Sequence, residues 1–233
     1  MSAWNWDTFF SHLSSPAMLW GAWTTIWLTF VTLFFALILG GLAASLVQIK
    51  SRVILTAYNG YTALFRATPL LVQLVFLYSA LPQLGINLTV IQAAILGLSI
   101  AESPYMAEII RANILGVGRG QWEAATMLGM KRGQILRYII LPQAARTAVP
   151  PIGNEFVRQL KNTSLVSVIS MTELFRITND LIQSSFRVLE ALTVATIYYL
   201  TITIVWTVFQ KWLERRLSVS VLAGPSKSSA RLI

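Results

Sequence analysis

The sequence predicts an all-α membrane protein of five transmembrane helices, with the N-terminus outside and the C-terminus in the cytoplasm. Three observations lead there. Of the 233 residues, 55% are hydrophobic and only 12% charged, with a mean hydropathy of +0.64, whereas a soluble domain carries about 25% charged residues. The apolar residues fall in uncharged runs long enough to cross a bilayer. The basic residues behind the net charge of +9 sit between those runs, as they do when loops are sorted by charge across a membrane. A nucleic-acid surface would gather them in one tract with interleaved aromatics. The expected surroundings are therefore a lipid bilayer, and no nucleic acid is expected as a partner.

A span needs about 20 mostly apolar residues. No basic stretch precedes the first apolar run, so a cleaved signal peptide is not expected, and His12 in "WNWDTFFSHL" reads as an interfacial residue. Residues 17–49 hold no charge and are closed by Lys50 and Arg52, giving a first span at about 19–48. Residues 67–101 are again uncharged, and Pro82, Gly85 and Asn87 in "LPQLGINLT" mark a turn. That turn divides the run into spans at about 64–81 and 90–110. The region 111–146 is polar and basic and is read as a loop. Residues 150–171 are apolar apart from Glu155, Arg158 and Lys161, and make a fourth span packed inside protein, where such charges cost less than facing lipid. The fifth, at about 191–212, is closed by "KWLERR". The tail 218–233 is small, polar and expected to be disordered, leaving 1–217 as the membrane domain.

Orientation follows from the loops. Loop 111–146 holds Arg111, Arg119, Lys131, Arg132, Arg137 and Arg146 against Glu123 alone, and Lys50, Arg52 and the tail from Lys211 are basic too. Basic loops belong in the cytoplasm. Residues 172–190 set Arg176 and Arg187 against Glu173, Asp180 and Glu190, and the N-terminal stretch has only Asp7. Five spans satisfy every loop at once.

Inside the cytoplasmic loop, "QWEAATMLG" has Ala124, Met127 and Leu128 at i, i+3, i+4, one apolar face of a short helix. Glu123 is expected in its first turn, where a carboxylate complements the helix dipole, and Gly129 is placed as a left-handed stop. The preceding "GVGRGQ" reads as a flexible lead-in. A helix this short is not stable alone. Either it packs on its own protein, or it presents Met127 and Leu128 to a partner's groove.

"EAA", three residues, Gly129, nine residues and then "IILP" resemble the EAA loop of bacterial ABC importer permeases; Glu123, Ala124, Ala125, Gly129, Ile139, Leu141 and Pro142 fall where that pattern wants them. "FRATPLLVQ", "YMAEIIRANI", "ILPQAARTAVPPIGNEF" and "LKNTSLVSVISMTELF" are similar to the polar amino-acid permeases of that superfamily, so the resemblance covers most of the chain. It implies a type I importer architecture, with Glu123, Ala124, Ala125, Met127, Leu128 and Gly129 forming a coupling helix seated in a cleft of a separate ATPase. It also implies an extracytoplasmic solute-binding protein and a polar amino acid or similar zwitterion as substrate.

No Walker A sequence occurs in the chain. ATP and Mg²⁺ are therefore expected in two partner ATPase subunits, with no cofactor bound by this chain. A five-span chain without internal repeats is unlike a self-sufficient secondary transporter, which calls for a second permease, identical or homologous.

Polar residues inside spans are candidates for the substrate pathway. Glu102, Tyr105 and Glu108 follow at i, i+3, i+6, and Pro104 between them would bend the helix and free a carbonyl. Glu108 also reads as a membrane-edge partner of Arg111, while Glu102 has no local partner. Asn162, Thr163 and Ser164 in "LKNTSL" suit a zwitterion's termini or hydrogen bonding between helices. Thr68 joins them beside Pro69, with Gln73 weaker and Arg66 read as a cytoplasmic anchor. Relatives commonly carry an acidic residue where Asn162 stands and small residues where "ESP" precedes Tyr105. That relocation of negative charge favours a basic or neutral polar amino acid over an acidic one. Two other classes stay open: a channel or exporter subunit regulated through the loop, and an intramembrane enzyme. The latter is disfavoured by a single His, no Cys and no Asp within the proposed spans.

Overall fold

A computed structural model describes residues 4–47 and 51–217, and every regular element in them is helical. Lys50, the end of the first predicted span and the tail 218–233 lie outside the described residues. A short α1, Trp6–Leu13, begins at Asn5, whose side chain accepts from Thr8 N at 2.9 Å. It buries Phe9 and His12 and leaves Trp6 and Phe10 exposed. Burial lowers the His12 pKa, against an opposing pull from Glu190.

The first span is α2, Pro16–Val47. The second is not one helix from residue 64: α3, Arg52–Ala67, starts earlier, and the chain breaks before α4, Leu70–Val75. A π turn, Phe76–Ala80, and a 3₁₀ turn, Leu81–Leu84, continue α4 to Gly85, whose φ of 82° makes the expected turn. Next come α5, Val90–Gly116, and α6, Arg119–Met127. Then α7, Arg132–Ile135, runs through a π turn, Leu136–Ile140, into α8, Leu141–Asn162, which tightens to a 3₁₀ segment, Thr163–Ile169. The last two are α9, Leu174–Ser185, and α10, Val188–Arg216. Helices α2, α5 and α10 are long and apolar enough to cross a membrane; α3 with Leu70–Leu84, bent by 101° at the break, makes a fourth candidate. Helix α8 begins nine residues before the predicted 150 and carries Arg146, Glu155, Arg158 and Lys161, too many charges to qualify by composition.

Small residues set the packing. On α2 the buried face includes Gly21, Thr25, Thr29, Thr32, Ala36 and Gly40, while Trp20, Trp23, Phe30 and Phe34 face outward. A Cβ on Gly40 would lie 2.8 Å from both Ala107 N and Ser103 O, so only glycine lets α2 and α5 approach this closely. The Thr29 and Thr32 hydroxyls donate back to Thr25 O and Leu28 O at 2.7 and 2.8 Å, so neither needs an acceptor across the interface. Leu33, Ala36, Met106 and Phe156 form one apolar centre, capped by Trp206 stacked on Phe156 at 3.7 Å. At the far side of α8, Trp206 Nε1 donates to Gly153 O at 2.9 Å and Gln210 Nε2 to Pro150 O at 3.2 Å, holding α8 against α10.

At two of the prolines a side chain reaches the carbonyl left without a helical donor. Pro69 cannot serve Phe65 O, and Pro104 cannot serve Ile100 O. Gln73 Nε2 reaches Phe65 O at 3.1 Å and Thr68 O at 3.0 Å, so a side chain caps the break between α3 and α4. Ile100 O accepts instead from Ser103 Oγ at 2.7 Å and Tyr61 OH at 3.4 Å.

Candidate functional site

The predicted sites lie in two regions. The first is the segment around α6, between α5 and α8. The helix starts at Arg119, earlier than expected, so "GVGRGQ" is a tight joint at Val117 and Gly118 rather than a flexible lead, and Glu123 sits in the second turn, not the first. The end is as predicted: Gly129 has φ 75°, its N–H donates to Thr126 O at 2.9 Å, and Met130 N donates to Ala125 O at 3.2 Å, the paired bonds of a Schellman stop. Ala125 is buried with Ile135 and Ile140, flanked by Trp122, Met130 and Ile139. Glu123 and Ala124 are exposed, and Met127 and Leu128 are 88% and 80% exposed. The helix packs on its own loop through Ala125 rather than through Ala124, and leaves Met127 and Leu128 exposed.

The second region is a cleft of about 370 Å³, including its open mouth, between the α3–α4 break, α5 and α8. Thr68, Glu102, Tyr105 and Asn162 line it, as do Arg66, Gln73, Arg158 and Gln159. Glu108 stands outside the lining, with Thr163 and Ser164; those two hydroxyls turn back to Leu160 O and Lys161 O at 2.7 Å.

Glu102, 2% exposed, has no local partner, as expected, but a distant one: Arg158 Nη2 bonds its Oε1 at 2.7 Å, and Arg158 Nε bonds Glu155. Glu108 pairs with Arg66 at 2.6 Å rather than with Arg111. Arg66, read from the sequence as an anchor, also lines the cleft. Both guanidinium groups lie against Tyr105, Arg158 at 4.0 Å and Arg66 at 4.9 Å from the ring centroid. Gln159 Nε2 donates to Thr32 Oγ1 at 3.0 Å, tying the cleft floor to α2. Reading by local spacing missed Arg158 as a site residue because its partner is 56 positions away. The available signal was the improbability of a lone arginine inside an apolar segment.

Comparison with known proteins fits this geometry. Residues 36–219 match the family described as binding-protein-dependent transport system inner membrane component. The glutamine transport system permease of Escherichia coli K12 is 34% identical over 88% of this chain and 94% of its own length. The L-cystine transport system permease of Bacillus subtilis 168 is 35% identical, covering 87% of each chain. A crystal structure of an amino acid ABC transporter with histidines superposes with a TM-score of 0.86 at 32% identity, over 92% of this chain and 100% of that one. The chain belongs to the family of binding-protein-dependent inner-membrane transport components: it is the multi-pass permease subunit of an ABC importer and not itself the ATPase.

Proposed function

We propose that the chain imports a polar amino acid or a related zwitterion by alternating access, as a five-span type I permease with its N-terminus outside. In this reading α8, with its 3₁₀ extension, is the fourth span, shielded from lipid by α2, α5 and α10. A solute-binding protein delivers substrate to the outer face. Two ATPase subunits holding ATP and Mg²⁺ close on the inner face, and a second permease, identical or homologous, completes the pathway. Glu123, Ala124, Ala125, Met127, Leu128 and Gly129 couple the two motions. Thr68, Glu102, Tyr105 and Asn162 contact substrate in the cleft, with Glu108, Thr163 and Ser164 supporting its walls.

The exposure of Met127 and Leu128 carries this reading. Two large apolar side chains held in water at the end of a rigid helix are stabilised only by a partner's groove. The test is affinity purification of the tagged protein from its native membrane, with co-purifying subunits identified by mass spectrometry. An ATPase that accompanies the wild type and is lost from Gly129→Asp, a variant that still inserts, is the expected result. Normal transport by Gly129→Asp would eliminate the coupling role.

A further inference from the structure

Every charge in the cleft is already paired. Glu102 and Glu155 share the guanidinium of Arg158, and Arg66 is taken by Glu108. The Arg158 guanidinium is held on three sides, by the two carboxylates and by the face of Tyr105, yet the residue remains 36% exposed. Glu102, in contrast, is enclosed. A ligand entering the cleft therefore meets the arginine first and the carboxylate only through it. One further polar atom awaits a partner: Gln73 Oε1 is buried in the cleft wall and accepts no hydrogen bond, while Gln73 Nε2 is used on the α3–α4 break.

We infer that Arg158 is the specificity-determining residue of the cleft, a resident cation that satisfies Glu102 and so excludes substrates with a positively charged side chain. The inference rests on the cleft being the amino-acid pathway. Without Arg158, Glu102 would be an unsatisfied buried carboxylate, and the favoured ligand would be one that supplies a cation. With it, the pair is neutral and the accepted ligand is an amino acid of zero net charge. Its ammonium donates to Gln73 Oε1 and its carboxylate takes an open N–H of Arg158. The stack on Tyr105 fixes the plane of the guanidinium and with it the direction of that N–H.

The sign of the selectivity follows from which charge is removed. Arg158→Gln leaves a net negative cleft and moves preference toward arginine. Glu102→Gln leaves Arg158 in excess and moves it toward glutamate. The double variant restores neutrality and returns preference to glutamine. Each single shift is expected at about tenfold or more, given charges a few ångströms apart at an intermediate dielectric.

The measurement is equilibrium binding of radiolabelled glutamine, arginine and glutamate to the complete transporter in nanodiscs. Binding is read on the permease without the solute-binding protein, whose own specificity would mask the cleft. The expected pattern is glutamine preferred by the wild type and the double variant, with opposite shifts in the two single variants. Should Arg158→Gln not fold, Glu102→Gln and the double variant still give the sign. Unchanged ratios in every variant that binds overturn the specificity role of Arg158. No binding of any amino acid to the wild type overturns the cleft as a substrate site, and the inference with it.

Discussion

Helix α6 and the cleft around Arg158 handle unfavourable groups in opposite ways. At α6 the groups are apolar and stand in water: Met127 and Leu128 are displayed while Ala125 holds the helix to its own small core. In the cleft Glu102 is charged and withdrawn from water, and it is matched by Arg158 within the same chain, as the more exposed Arg66 is by Glu108. The difference teaches where this chain is unfinished. The cleft is internally balanced and needs nothing to hold its shape. The α6 surface is unbalanced, and in the proposed reading its complement lies in another subunit.

That contrast can be broken at either end. Replacing Met127 and Leu128 together by serine should abolish transport and ATPase co-purification. Thermal unfolding of the isolated permease should stay within about 0.5 kcal/mol of wild type, because exposed side chains contribute little to folding. A large loss of stability would mean that these residues pack on the chain itself. In the cleft the dependence reverses. Arg158→Met leaves Glu102 buried beside no cation and should cost about 3 kcal/mol in thermal unfolding. The companion Glu102→Gln/Arg158→Met should recover most of it, and failure to recover would mean that Arg158 acts through packing alone.

A third carboxylate sharpens the comparison. Glu173, ahead of α9, is fully buried but has only neutral donors: Phe175 N at 2.8 Å, Arg176 N at 2.7 Å and Tyr199 OH at 3.4 Å, with Thr25 beside it. Burial raises its pKa to about 7, with those hydrogen bonds opposing the rise. A raised carboxyl pKa means that the folded state holds its proton more tightly than the unfolded one. The stability it confers is complete below the unfolded value of 4.5 and is lost as pH rises through about 7. The permease should be more stable at about pH 5.5 than at about pH 7.5, by about 2 kcal/mol. Glu173→Gln should flatten that dependence, and an equally steep curve in the variant would assign it elsewhere. Smallest of all, Gln73→Ala removes the cap from Phe65 O and Thr68 O and should lower stability by about 1 kcal/mol, read by denaturant or thermal unfolding.

Much of this molecule was legible locally. The bodies of α2, α5 and α10 follow from uncharged runs of sufficient length, the turn at Gly85 from its neighbours Pro82 and Asn87, and the Gly129 stop from a glycine after a short apolar face. The break at Pro69 was not read, since the predicted span 64–81 ran through it, although proline restricts the residue before it. Helix starts were read less well. Helices α3, α6 and α8 all begin earlier than predicted; in α6 the first turn, Arg119 to Trp122, is polar apart from its last residue and carries little apolar signal. Within the cleft, Thr68, Glu102, Tyr105 and Asn162 were named from residue type and depth, and they do line one space.

The sequence by itself determined that the chain is helical, apolar, basic on its loops and equipped with a glycine-stopped helix between spans. Each of those properties is set by neighbours within a few residues, where rise, periodicity and turn geometry suffice. Only the tertiary structure decided the partners. Arg158 reaches Glu102 across 56 positions and Arg66 reaches Glu108 across 42. No local rule fixes such pairs; they form because a glycine lets α5 come close to α2 and the chain bends at the α3–α4 break beside α5. That shared geometry is what turns isolated charges in an apolar chain into one balanced site.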